Sequence, residues 1–133
     1  MISVFLVDDM SLVRTGIKLI LETTQNIKVI GEADSGEEAV DWCRKRQCDV
    51  ILMDMVMPGI GGLEATKKIL RYNPYAKIIV LTIQTEEPYP TKIMQAGASG
   101  FLTKGAEPDE MIKAIKDVAA GKRFISPSVA QQI

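Results

Sequence analysis

The chain is 133 residues long, 47% hydrophobic and 25% charged, which fits one soluble globular domain with a substantial core. Its 16 basic and 17 acidic side chains leave a formal net charge of −1, so no overall basic field draws nucleic acid or an anionic membrane. Histidine is absent, which excludes His-based triads, His metal sites and a histidine phosphocarrier, and no apolar run nears the roughly 18 residues of a membrane helix.

Ile2–Val7 is a short apolar run rich in β-branched residues that stops at Asp8-Asp9, a first strand. An acidic pair so early is foreign to a secretory leader, and a cytoplasmic chain is expected. Ser11–Thr23 has helical spacing, with Leu12, Ile17, Leu19, Ile20 and Leu21 as its buried stripe and Arg14, Lys18 and Glu22 facing water. Ile27–Ala33 is a second strand. Ser35 is placed to cap the next helix, with Glu37 and Glu38 in the first turn, where the dipole favours anions. That helix carries Ala39, Val40, Trp42 and Cys43 and ends near Gln47. Cys43 and Cys48 match neither a redox CxxC nor a zinc spacing, and both are expected to be reduced. Val50–Met53, apolar throughout, is a central parallel strand covered on both faces.

Met57-Pro58-Gly59-Ile60-Gly61-Gly62 is a turn-rich loop, followed by a helix from Leu63 to Tyr72 that Asn73-Pro74 stops. Lys77–Thr82 is a fourth strand. The polar loop with Glu86, Glu87, Pro88 and Pro90 leads into a short helix ending at Gly97, and Glu86–Gln95 is expected to be the least stable stretch. Gly100–Thr103 is a fifth strand. Pro108 begins a last helix that buries Met111, Ile112, Ile115, Val118 and Ala119 and stops at Gly121. The methionines and Trp42 are read as packing residues. Lys92, Lys113, Lys116 and Lys122 form either a solvated face or part of a docking surface.

Strands alternating with helices imply a doubly wound, five-stranded parallel sheet of flavodoxin-like order 2-1-3-4-5, with helices on both faces. In that order the crevice lies outside the C-terminal ends of strands 1 and 3, where Asp8, Asp9 and Asp54 fall. Lys104 follows the fifth strand. Three carboxylates and one ammonium group on a single rim suit a divalent cation and a phosphoryl group. Taken singly, Asp8-Asp9 would also serve as a helix cap, Asp54 as a turn residue, Lys104 as a surface lysine and Thr82 as a strand end satisfying local backbone. Their joint placement favours the site.

These marks, with Met57-Pro58-Gly59 after Asp54, Thr82 ending the fourth strand, and Phe101 three residues before Lys104, resemble the receiver domain of bacterial two-component response regulators, a CheY-like fold. Val-Arg-Thr-Gly-Ile, Gly-Ile-Gly-Gly-Leu-Glu-Ala-Thr and Met-Gln-Ala-Gly-Ala-Ser-Gly-Phe-Leu narrow the resemblance to the LuxR/FixJ-type subfamily and its Gac-type global regulators. The resemblance implies Asp54 as phosphoacceptor and Mg²⁺ (or Mn²⁺) on Asp8, Asp9, Asp54 and the Val56 backbone carbonyl. It implies Lys104 and Thr82 on the phosphoryl oxygens, and a switch through Thr82 and Phe101, the latter acting by packing since it has no hydroxyl. It further implies a sensor histidine kinase or histidine phosphotransfer domain as donor, and homodimerisation on phosphorylation. DNA would be bound only by a C-terminal helix-turn-helix domain beyond this chain, with residues 1–121 as the receiver and 122–133 starting the linker.

Other functions fit less well. A phosphatase or hydrolase with an aspartate nucleophile typically needs an acid–base aspartate two residues on, where Val56 stands. An FMN carrier needs a glycine- and hydroxyl-rich loop after strand 1, which Asp-Asp-Met-Ser-Leu is not. A receiver-shaped module that is never phosphorylated is disfavoured by the intact site. Many receivers follow the lysine with a cis proline; Gly105 stands here, and a non-proline cis bond costs about 2.5–4 kcal/mol, so none is assumed. Apolar Val56, bulky Ile83 and weakly polar Gln84 around the pocket imply slow loss of an aspartyl phosphate.

Overall fold

A computed structural model describes residues 1–125. The elements are β1 (Ile2–Val7), α1 (Ser11–Glu22), β2 (Ile27–Ala33), α2 (Gly36–Lys45), β3 (Val50–Asp54), α3 (Gly61–Tyr72), β4 (Ile78–Thr82), α4 (Tyr89–Gln95), β5 (Gly100–Thr103), α5 (Pro108–Ala119) and β6 (Phe124–Ile125). All pair in parallel in the order β2-β1-β3-β4-β5-β6, so the expected five-strand order forms and is extended by one strand. After α5 the chain turns at Gly121 (φ 92°), and Phe124–Ile125 lies beside Gly100–Phe101. The remainder of the expected linker, 126–133, lies outside the described residues.

The period-two alternation of the strands divides the core in two. Phe5, Val7, Ile51, Met53, Ile78, Val80 and Phe101 face Val40 of α2, Ala65 and Ile69 of α3 and Ile93 of α4. Val4, Leu6, Val50, Leu52, Ile79, Leu81 and Leu102 face Ile17 and Leu21 of α1 and Met111, Ala114, Ile115 and Val118 of α5. All five residues of β3 and of β4 are buried, as central strands covered on both faces must be. Trp42 lies flat on Phe5, ring centroids 3.9 Å apart and 6° from parallel, so its packing role holds. Met10 is 54% exposed and does not share that role.

Ser35 caps α2 as expected, its hydroxyl accepting the Glu38 N–H at 3.1 Å. The expected face of α1 is corrected. Val13, Ile17 and Leu21, spaced four apart, turn inward, whereas Leu12 and Leu19 are 81% and 63% exposed. Leu12 and Leu19 are seven apart and share a face, but helical rotation sets it well away from the buried stripe. Arg14 is also inward-leaning rather than solvated: its guanidinium pairs with Glu32 of β2 at 3.4 Å, and Lys18 reaches the same carboxylate at 3.5 Å.

Candidate functional site

The register of the central strands builds the site. Val7 pairs with Met53, so the next residue of each strand, Asp8 and Asp54, emerges at the same edge. Both carboxylates are buried (2% and 1% exposed) while Asp9 beside them is exposed. One carboxylate oxygen from each of Asp8, Asp9 and Asp54 lies within 4.8 Å of the others. Asp8 is fixed by its own turn: its N–H donates to Ala33 O at 3.1 Å, its Oδ1 accepts the Met10 N–H at 2.9 Å, and its carbonyl accepts from Arg14. Asp8 therefore closes the turn that leads into α1, whose N-cap Met10 has no side-chain cap, and belongs to the acidic cluster at once, so the expected helix-cap role is not formed.

Lys104 enters from the end of β5, its N–H donating to Thr82 O at 3.0 Å. Its Nζ stands 2.9 Å from Asp54 Oδ1 and 3.8 Å from Asp8 Oδ2, with its side chain 28% exposed. The Lys104–Gly105 peptide is trans, and the cis peptide among the described residues is Glu87–Pro88. Burial pushes the Asp54 carboxyl above its ordinary range; the hydrogen bond from Lys104 opposes this, and the charge of Asp8 adds to it. For Lys104, burial favours the neutral amine, but the hydrogen bond to Asp54 and the charges of Asp54, Asp8 and Asp9 outweigh it and raise the pKa. Asp8 Oδ2 and Asp54 Oδ2 are buried with no hydrogen-bond partner. Clustered carboxylate oxygens without hydrogen-bond partners fit a hard divalent cation.

The other expected site residues lie around this cluster. The Val56 N–H donates to Asp54 Oδ1 at 3.4 Å, and its side chain is 63% exposed at the turn after β3. Ile83 is 73% exposed. Thr82 is buried at the end of β4, but its Oγ1 accepts the Gln84 N–H at 2.8 Å, so in this state the hydroxyl closes its own turn. Phe101 is wholly buried, paired with Val80. Two contributors were not foreseen. Arg14 ties α1 to the Asp8 turn and to Glu32, for which no sequence signal beyond its place near the acidic pair exists. Gly62 sits against the backbone of Asp54: a Cβ there would fall 2.1 Å from Asp54 O. The Gly61-Gly62 pair signals such a close approach but reads equally as loop.

A family model described as the response regulator receiver domain matches residues 4–116. The chain belongs to the response regulator receiver domain family. Response regulator UvrY of Escherichia coli (strain K12) is 59% identical over 133 residues, covering all of this receiver chain and 61% of its own length. Response regulator GacA of Pseudomonas aeruginosa is 53% identical over the same 133 residues, 62% of its length. The chain thus spans about three-fifths of these curated relatives. A two-component response regulator of the LuxR family from Aurantimonas sp. SI85-9A1 superposes with a TM-score of 0.95 at 36% identity, covering 99% of this chain and 94% of that one. The resemblance read from the motifs, down to the Gac-type regulators, is borne out. No helix among the described residues is long and apolar enough to cross a membrane.

Proposed function

We propose that this receiver accepts a phosphoryl group on Asp54 from a sensor histidine kinase or phosphotransfer domain, in a reaction dependent on Mg²⁺ or Mn²⁺. Phosphorylation then shifts a two-state equilibrium that favours homodimerisation and sets the activity of a DNA-binding helix-turn-helix domain following residue 133, and so transcription in the cytoplasm. The chain catalyses its own modification and slow dephosphorylation and is not a dedicated turnover enzyme.

The observation that carries this reading is the buried Asp54 carboxylate held 2.9 Å from Lys104 Nζ, with the oxygens of Asp8 and Asp9 beside it. In the transfer a carboxylate oxygen of Asp54 forms a bond to phosphorus while the bond from phosphorus to the donor breaks, its electron pair leaving with the donor. Such a transition state is loose, so positioning and charge neutralisation do most of the work and no histidine is required. A divalent ion held by Asp8, Asp9, Asp54 and the Val56 carbonyl supplies neutralisation of the phosphoryl oxygens. Lys104 is a mobile point charge that exchanges Asp54 for a phosphoryl oxygen. Thr82 leaves Gln84 to bind another. The hydrolase alternative lacks its acid–base group, since the residue two after Asp54 is an exposed valine.

The test is incubation with Mg²⁺ and acetyl phosphate followed by intact mass measurement. One phosphoryl adduct, lost in Asp54→Ala, is expected. Rapid turnover of acetyl phosphate with no adduct accumulating, or an adduct that survives in the variant, would refute the assignment.

A further inference from the structure

We infer that the hollow between the C-terminal ends of α2 and α3 is a binding site for a nucleoside polyphosphate, separate from the acidic cluster. α2 ends at Lys45, ahead of the first residue of β3, whereas Asp54 is the last residue of that strand. The hollow therefore lies at the opposite end of β3 from the carboxylates. Its volume is about 430 Å³, within the range of small-molecule sites. Arg44, Lys45 and Arg46 line it together, and no carboxylate does, in a chain whose net charge is −1. Lys45 is held by Asp41 at 3.3 Å, but neither arginine is in an ion pair among the described residues. Arg46 is already in extended backbone (φ −143°, ψ 159°) past the helix. Three cations thus enclose a space that only an anion of several charges would neutralise.

The opposite wall supplies the surface for a base. The Arg44 guanidinium lies 4.7 Å from the centroid of the Tyr72 ring, and Tyr72 remains 58% exposed. A guanidinium stacked on a ring keeps its N–H fork free for phosphate oxygens while the pair offers a flat π surface to a nucleobase. Asn73 Oδ1 accepts the Tyr75 N–H at 3.0 Å, which leaves the Asn73 amide nitrogen as a donor facing the same space as the exposed Gln47 amide. Cations in the last turn of α2 also answer its dipole, but a dipole calls for neither an aromatic wall nor a hollow.

The test is isothermal titration of ATP into the 133-residue chain in EDTA, which keeps divalent ions from bridging the nucleotide to Asp8, Asp9 and Asp54. One-to-one binding with Kd below about 1 mM is expected. Inorganic triphosphate, the same anion without a base, is expected to bind about fivefold or more weakly. Arg44→Gln should weaken ATP by about tenfold or more, and Tyr72→Ala by about fivefold or more. Tyr72→Leu repeats the second measurement with an apolar side chain in place if Tyr72→Ala folds poorly. Acetyl phosphate labelling in Mg²⁺ should run at the parent rate in every variant. Absence of saturable ATP binding, or an ATP Kd unchanged in Arg44→Gln, overturns the site. Equal affinity for ATP and triphosphate overturns the nucleotide assignment. Each of these results leaves the Asp54 reading standing.

Discussion

Gly62→Ala tests how tightly α3 is wedged beneath Asp54. The added Cβ would lie 2.1 Å from Asp54 O and 2.8 Å from Met55 Cα, where ordinary contact begins near 3.4 Å, so the start of α3 must retreat by about 1.3 Å. The neighbour is the backbone of a strand held between β1 and β4 and cannot yield. The retreat stretches the bond from the Gly62 N–H to Met55 O, now 2.9 Å, worth about 1 kcal/mol, and overpacking adds about 1–3 kcal/mol. Ala's better helix propensity returns up to about 1 kcal/mol, leaving a net loss of about 2 kcal/mol. At about 3–5 °C per kcal/mol for a chain of this size, Tm falls by about 6–10 °C. Gly16→Ala is the control: it lies mid-α1 with nothing within 4 Å of its Cβ, and it should gain about 0.5–1 kcal/mol. Urea denaturation followed by circular dichroism measures both. A Gly62→Ala loss under about 0.5 kcal/mol, or a Gly16→Ala chain less stable than the parent, would refute the steric reasoning.

Lys104→Ala should slow acetyl phosphate incorporation by about 10²-fold, because the cation facing the approaching anion is gone; intact-mass time courses measure it, and a change under about threefold counts against that role. Mg²⁺ should raise Tm in the parent chain, by the equivalent of about 2.7 kcal/mol at a hundredfold excess over Kd, and much less in Asp9→Asn; equal shifts in both would remove Asp9 from the ligand set. Burial pushes the Cys43 thiol up to about 11 and that of Cys48 to about 12, from an ordinary value of 9.0. The folded values lie above the unfolded ones, so the stability these thiols contribute is full below about pH 9 and drains away as the pH climbs through 11–12. The urea midpoint should therefore fall from pH 8 to pH 10.5 more steeply in the parent than in the Cys43→Ala/Cys48→Ala double variant, and parallel slopes would contradict the burial argument.

The sheet order and the meeting of Asp8 with Asp54 were readable because both depend on apolar strands ending at acidic residues, a pattern written in consecutive positions. Lys104 was readable for the same reason. The buried face of α1 was misjudged because Leu12 and Leu19 are apolar and seven apart, and a sequence does not say which of two apolar faces meets the sheet. β6 was hidden because two residues carry no periodicity; its existence rests on a missing Cβ at Gly100, a contact made across 24 residues of chain. The Thr82 hydroxyl could not be assigned a partner from residue type, since the backbone two residues on and a phosphoryl oxygen compete for it. Arg14 escaped because its partners belong to a strand edge and a turn that only the folded chain brings within reach.

The indole stacked on Phe5 gives this small domain a built-in optical gauge. Trp42 rides on α2 and leans on Phe5 in the middle of β1, short of the strand's end from which Asp8 emerges. Its emission will register melting of the whole sheet while staying nearly silent to ion or phosphoryl occupancy. Unfolding and ligation can thus be followed in one sample through separate channels, fluorescence for the first and mass or resonance shifts for the second.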